Sequence, residues 1–163
     1  MAISGDTYKK IGRAAAGAVS VVCAIERASH ATVGLTVSSF VTLSFDPPLV
    51  MFAIQHDANS YPAIVASKSF GVSLLSAAQQ EVAKRFASKS DDKAAGMQFA
   101  RGTVLDVPLI DGALAQIECR TNQIFISGDH AIVVGLVEAA QTFEGQPLLY
   151  FGRQFGSFAA FDA

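Results

Sequence analysis

Charge is scarce in this chain. Asp, Glu, Lys and Arg make up 16% of its 163 residues, against roughly 25% in ordinary soluble domains. Hydrophobic residues make up 51%. A surface so poor in charge predicts that part of it faces something other than water, such as a second copy or an apolar ligand. Cysteine is almost missing. Cys23 and Cys119 stand apart in apolar stretches with no CxxC spacing and no Cys/His cluster, which argues against zinc and predicts two buried free thiols. The net charge is −2, with no basic patch or basic repeat, which argues against nucleic acid. No apolar run approaches the ~18–20 residues of a membrane span. Also missing are a GxGxxG or GxxxxGK[ST] phosphate loop, a nucleophile elbow and a prominent acidic pair. With neither a strong nucleophile nor a metal set, chemistry on this chain calls for a borrowed cofactor.

What is present reads as one domain over 1–163, large enough to bury a core without a staple. Lys9, Lys10 and Arg13 precede "AAAGAVSVVCAI" and imitate a signal peptide. The β-branched residues that follow continue as a strand without a clear processing break, so the expectation is a cytoplasmic protein. A short helix is expected over 7–16, capped by Asp6 or Thr7. Strands are expected over 18–26, 31–39, 48–54, 69–76 and 130–140, with one or two over 112–128 and a last one over 147–155. Helices are expected over 59–67 and 77–88, and a polar surface loop over 88–96. Many short strands with a few short helices predict a mainly β fold, a closed antiparallel barrel with helical covers. The regular strand–helix alternation of a doubly wound sheet is missing.

Five stretches carry candidate chemistry. "TVSSFVTLSFDPPLV" (36–50) places hydroxyls at Thr36, Ser38, Ser39, Thr42 and Ser44 in apparent core strand. A buried hydroxyl without a partner costs roughly 1–3 kcal/mol. These groups therefore either satisfy one another and the backbone or await a polar ligand, such as the hydrogen-bonding edge of a planar heterocycle. "FDPPL" (45–49) is a rigid turn. In "HDANSYP" (56–62), Asn59 and Ser60 either cap a helix or offer N–H groups to a phosphate, with Arg85 as a possible matching charge. "SGDHAIVVG" (127–135) sets His130 at a strand mouth beside Asp129, where it is either solvated or poised to donate, titrate or stack. "YFGRQFGSF" (150–158) mixes aromatics with Arg153 as a strand and adherent tail, and a tail covering a cofactor has the same composition.

Together, "GLTVSSFVTLSFDPPLVMFAI" (34–54), "NSYPAI" (59–64), "FGVSLLSAAQQEVAKRFA" (70–87), "GDHAIVVGLV" (128–137) and "PLLYFGRQF" (147–155) resemble the short-chain flavin reductase family. These are split-barrel reductases that serve two-component monooxygenases. The resemblance spans nearly the whole chain. It implies a homodimeric split barrel that binds FMN or FAD, reduces it with NADH or NADPH, and releases reduced flavin to a separate oxygenase. It implies that Thr36, Val37, Ser38 and Ser39 line the isoalloxazine, with Ser44 in the adjoining segment. It places Asn59 and Ser60 near the ribityl phosphate and Lys84, Arg85 and Phe86 close by, with Arg85 matching the phosphate charge. It places His130 on the nicotinamide side, with Arg153 near the same site. A non-catalytic flavin-binding or electron-transfer module on the same barrel is the alternative.

Overall fold

Strand β2 (Ser20–Ile25) is apolar on both faces, and the architecture follows from that. Val22 and Ala24 project into one core with Leu35, Phe52, Phe70 and Val133. Val21 and Cys23 project the opposite way, into a second core with Leu75, Ala83, Phe86 and Ile110. A strand covered on both sides needs a sheet curled around one face and helices laid on the other. The computed structural model has that arrangement, and it describes residues 3–161. The outermost two residues at each end of the expected 1–163 span lie outside the described residues.

The main sheet runs β3 (Thr32–Val37), β2, β6 (Ser69–Leu74), β9 (Ala115–Ser127), β10 (His130–Thr142), β5 (Leu49–Gln55) and β4 (Val41–Ser44), with antiparallel pairing at every step. A smaller sheet joins β1 (Gly17–Ala18), β11 (Leu149–Phe151) and β12 (Gln154–Gly156), and β7 (Ala100–Arg101) pairs with β8 (Pro108–Leu109). Three short helices complete the chain: α1 (Gly5–Ala14), α2 (Tyr61–Ala66) and α3 (Gln80–Ala87), the last entered through a 3-10 turn over Ala77–Gln79. The mainly β, antiparallel, helix-covered fold is the one expected. No helix among the described residues is long and apolar enough to cross a membrane.

Where the curled sheet closes, a side chain takes over from the backbone ladder. Ser39, just past the end of β3, accepts from the Ala53 N–H of β5 at 2.9 Å and donates to the Ala53 carbonyl at 3.3 Å. The barrel is split beside this bond, and the split leaves a cleft. The Pro-Pro turn joins β4 to β5 as expected, with a cis Asp46–Pro47 peptide.

Three boundaries differ from the sequence expectation, each for a local reason. Helix α1 begins earlier, because Ser4 rather than Asp6 or Thr7 caps it, its hydroxyl accepting from Thr7 N at 3.2 Å. The last strand is a hairpin, because Gly152 and Arg153 both take left-handed φ (57° and 70°) and reverse the chain. Residues 112–128 hold one long strand, β9, joined to β10 by a two-residue turn at Gly128-Asp129 with Gly128 at φ 61°.

Glu118, 4% exposed on β9, fixes the loop that follows β7. Its carboxylate accepts from the backbone N–H groups of Thr103 (2.7 Å), Val104 (3.0 Å) and Leu105 (2.6 Å). Burial pushes its pKa up, but the N–H donors of Leu105, Val104 and Thr103 outweigh that and hold it below the usual carboxylate value.

Candidate active site

The ends of β3 and β5, the C-terminal turn of α3, the loop that follows it and the β9–β10 turn enclose a cleft of about 400 Å³. Its walls mix apolar Leu35, Val37, Ile54 and Phe86 with hydroxyl, amide and charged groups. The size and mix are those of a small-molecule site, where roughly 300–1,000 Å³ is usual.

The hydroxyls of 36–44 now divide by what they touch. Thr36 donates to the Ala83 carbonyl of α3 at 2.7 Å and ties the strand to the helix. Ser39 closes the barrel through Ala53. Ser38 lines the cleft, is exposed, and has no side-chain partner among the described residues. Its backbone packs close to β1, since a Cβ on Gly17 would stand 3.0 Å from the Ser38 carbonyl oxygen. Ser44 lies elsewhere, on a shallow surface groove with Phe45 and Val50.

His130 sits at the cleft mouth. The hairpin turn delivers it there, and its Nδ1 bonds the Asp129 carboxylate at 2.7 Å. That bond holds Asp129 below the usual carboxylate pKa, with the imidazole's charge adding to the effect. An imidazole held through Nδ1–H presents Nε2 as its free nitrogen.

Positive charge enters from residues the sequence reading passed over. Lys89 and Lys93 both line the cleft, on the loop that follows α3. Burial lowers the Lys93 pKa, partly offset by Asp91, and its Nζ donates to the Phe86 carbonyl at 3.1 Å. Arg85 is engaged elsewhere. Its guanidinium donates to the carbonyls of Lys93 and Ala95 and pins the loop. Lys84 pairs with Glu81 at 2.7 Å on an exposed helix face. Asn59 reaches the cleft and bridges to the same loop, donating to Lys89 O at 2.9 Å and Asp91 Oδ1 at 2.5 Å. Ser60 opens α2 without a side-chain capping bond, and its Oγ is buried with no partner among the described residues. Arg153 lies on a separate surface hollow with Lys9, Arg13 and Tyr150.

The structure thus brings Thr36, Val37, Ser38, Ser39, Asn59, Phe86 and His130 to one cleft and sets Ser44, Lys84, Arg85 and Arg153 outside its walls. Ser60 stands behind it, on the adjoining hollow. Lys89 and Lys93 could have been found only by asking which lysines directly follow an apolar-faced helix beside the cleft. In sequence, "SKSDDK" reads as solvated loop. The groups present fit a flavin. Apolar walls suit its ring faces, Ser38 offers an open hydroxyl to its polar edge, and two lysines in the lining offer positive charge to a phosphate. No metal-binding cluster of His, Cys, Asp and Glu occurs among the described residues.

A split β-barrel with a cleft lined by hydroxyls and lysines defines a nucleotide-cofactor binding protein. More particularly, residues 12–159 match the family model described as "Flavin reductase like domain", and the chain belongs to that family. It is 35% identical over 151 residues to the reductase component of 4-hydroxyphenylacetate 3-monooxygenase of Thermus thermophilus, covering 92% of this chain and 94% of the relative. It is 33% identical over 156 residues to NADH:riboflavin 5′-phosphate oxidoreductase of Streptomyces pristinaespiralis, covering 94% and 88%. Among solved structures it superimposes on the NADH:FAD oxidoreductase SgcE6 of Streptomyces globisporus, determined with NAD and FAD fragments. The TM-score is 0.86 at 29% identity, covering 98% of this chain and 97% of that one.

Proposed function

We propose that this chain is an NAD(P)H-dependent flavin reductase that passes reduced flavin to a separate oxygenase component. The observation that carries the reading is the cleft itself. In a chain of this family, its lining combines apolar walls with an open serine, two lysines and a histidine. Bound flavin supplies a hydride acceptor, and a reduced nicotinamide supplies the hydride. The chain's residues position rather than react, which is enough where two rings must be held at reacting distance.

Leu35, Val37 and Phe86 exclude water from the ring faces. Ser38 hydrogen-bonds the polar ring edge, and Thr36 and Ser39 fix the strand end that presents it. Lys89 and Lys93, steadied by Asn59 and Arg85, meet the phosphate. His130, held by Asp129, orients the nicotinamide at the mouth through its free Nε2. Ser44, Lys84 and Arg153 take no part within a single protomer on this reading. The protein works as a cytoplasmic homodimer. The β4 edge supports a dimer contact, because Val41 and Leu43 on that strand and Phe45 in the turn just after it are exposed apolar side chains, with Phe45 98% exposed.

Anaerobic mixing of flavin-loaded protein with NADH or NADPH tests this. Bleaching of the flavin's visible absorbance is expected, and His130→Ala slows it while leaving flavin affinity unchanged. Flavin that binds and stays yellow with both nicotinamides would identify a non-catalytic flavin-binding module. Unchanged bleaching kinetics in the variant would remove His130 from the mechanism.

A further inference from the structure

Away from the cleft, a hollow of about 560 Å³ opens at the other end of β3 and shares no lining residue with the flavin site. Thr32 lines it where β3 begins, about 16 Å along the strand from Val37 in the cleft. Three elements meet there: the turn between β2 and β3, the entry to β6, and the loop between β7 and β8. The floor is apolar, with half-buried Ile25 and Leu105 beside buried Val107.

The rim is positive, in a chain whose net charge is −2. Arg101 and Asp106 form a two-pronged pair, with two guanidinium nitrogens each 2.8 Å from a carboxylate oxygen, and their charges cancel. Arg27 on the first turn and Lys68 at the entry to β6 are left over. Both are exposed, and neither side chain has a partner among the described residues. His30 adds an exposed imidazole on the same turn as Arg27.

The walls are fixed in shape. The buried Glu118 carboxylate holds the backbone N–H groups of Thr103, Val104 and Leu105, so it sets the β7–β8 loop. No residue of that loop lines the cleft. Burying a charge is costly, and its best-attested return is a specified geometry, so the shape of this loop matters somewhere other than the cleft. The β2–β3 turn is closed by Glu26 N donating to Ala31 O and His30 N donating to Glu26 O, at 2.9 Å each. His30 and Asp106 both take left-handed φ, 57° and 53°. Two turns that line one hollow thus keep polar side chains where glycine would sit with less strain.

We propose that this hollow docks an acidic segment of a protein partner, whose carboxylates meet Arg27 and Lys68 while an apolar side chain rests on Ile25 and Leu105. Charge complementarity selects an acidic partner. A small anion fits less well, because it needs donors converging on one point. The cations here stand on separate elements, and the nearby N–H groups of 103–105 already serve Glu118. The proposal deepens the reading above, in which reduced flavin passes to a separate oxygenase, since a component docked here leaves the mouth of the cleft open.

Fluorescence anisotropy of a labelled peptide of glutamates with a central leucine, titrated with the full-length protein, tests this. Saturable binding that weakens with added salt is expected, and no binding of the same peptide with lysines in place of glutamates. Arg27→Glu combined with Lys68→Glu weakens binding at least about tenfold, and NADH oxidation with added flavin stays unchanged because neither residue lines the cleft. Arg27→Gln with Lys68→Gln shows a smaller loss in the same direction, and this pair decides if the reversed protein folds poorly. Peptide binding unmoved by both pairs overturns the proposal. So does displacement of the peptide by inorganic phosphate at lower concentration, which gives the hollow to a small anion, or tighter binding of a single-stranded oligonucleotide. A fall from dimer to monomer in the reversed variant, read by sedimentation, overturns it by giving the hollow to a second copy. Peptide binding by protein that oxidises no NADH removes the reductase reading and leaves the docking surface standing.

Discussion

Replacing Ser39 by Ala removes a side chain that closes the barrel beside the cleft. Two hydrogen bonds disappear, the 2.9 Å bond accepted from Ala53 N and the 3.3 Å bond donated to Ala53 O. A net protein hydrogen bond contributes about 0.5–1.5 kcal/mol, and the longer of these lies at the weak end of that range. The half-buried Ala53 N–H is left without its acceptor, and water admitted through the split recovers part of that loss. The expected destabilisation is about 1–3 kcal/mol. With a urea m-value of about 2 kcal/mol/M, the unfolding midpoint falls by roughly 0.5–1.5 M at unchanged m. Flavin affinity should fall as well, because β3 and β5 are no longer fixed to each other at the cleft. Thr42→Ala is the control, since that hydroxyl is exposed on β4 with no side-chain partner among the described residues, and it should shift the midpoint little. A Ser39→Ala midpoint equal to that of Thr42→Ala would refute the idea that a side chain closes this barrel.

Other expectations follow from single contacts. Glu118→Gln removes the charge held by three backbone N–H groups and aims an amide N–H₂ at donors, so a loss of about 3–5 kcal/mol in chemical denaturation is expected. Because the folded pKa of Glu118 is depressed, its contribution is complete above the unfolded value of about 4.5 and fades as pH falls through the folded value. The wild-type and Glu118→Gln stability curves should therefore converge below about pH 4.5. Gly135→Ala would put a Cβ 2.5 Å from Cζ of the fully buried Phe70, and a fall of about 1–3 kcal/mol in unfolding free energy is expected from overpacking. Cys23 and Cys119 are buried, burial pushes both thiols up, Cys119 to about 12, and neither should react with an aqueous disulfide reagent until the protein is unfolded.

The barrel was legible because its core strands are apolar enough to declare themselves. "SVVCAI" and "LVMFAIQ" have few other homes, and the turn residues Pro47, Pro48, Gly128 and Asp129 mark where they reverse. The cleft was legible in part. Thr36, Ser38 and Ser39 drew attention because hydroxyls are costly in a core, yet the sequence could not say which of them bond inward. Thr36 finds the Ala83 carbonyl 47 residues away, a partner no local pattern predicts. The cations illustrate the same limit. Arg85 follows an apolar helical face and reads as a phosphate ligand, but its planar donor fork matches two carbonyls of its own loop. Lys89 and Lys93 read as solvated because the acidic Asp91 and Asp92 lie between them in a polar run. Only the loop's fold back across α3 brings the two lysines to the cleft. Arg153 sits in a hairpin turn that needs a left-handed residue, and neither a strand pattern nor its composition foretells that reversal.

The central claim is that the cleft holds a flavin for reduction by a nicotinamide. Its most direct test is the steady-state oxidation of NADH and NADPH by the purified protein, with and without added FAD, FMN and riboflavin. The account predicts rapid oxidation that depends on added flavin. Protein that binds flavin yet leaves both nicotinamides unoxidised, at any flavin concentration, would contradict it.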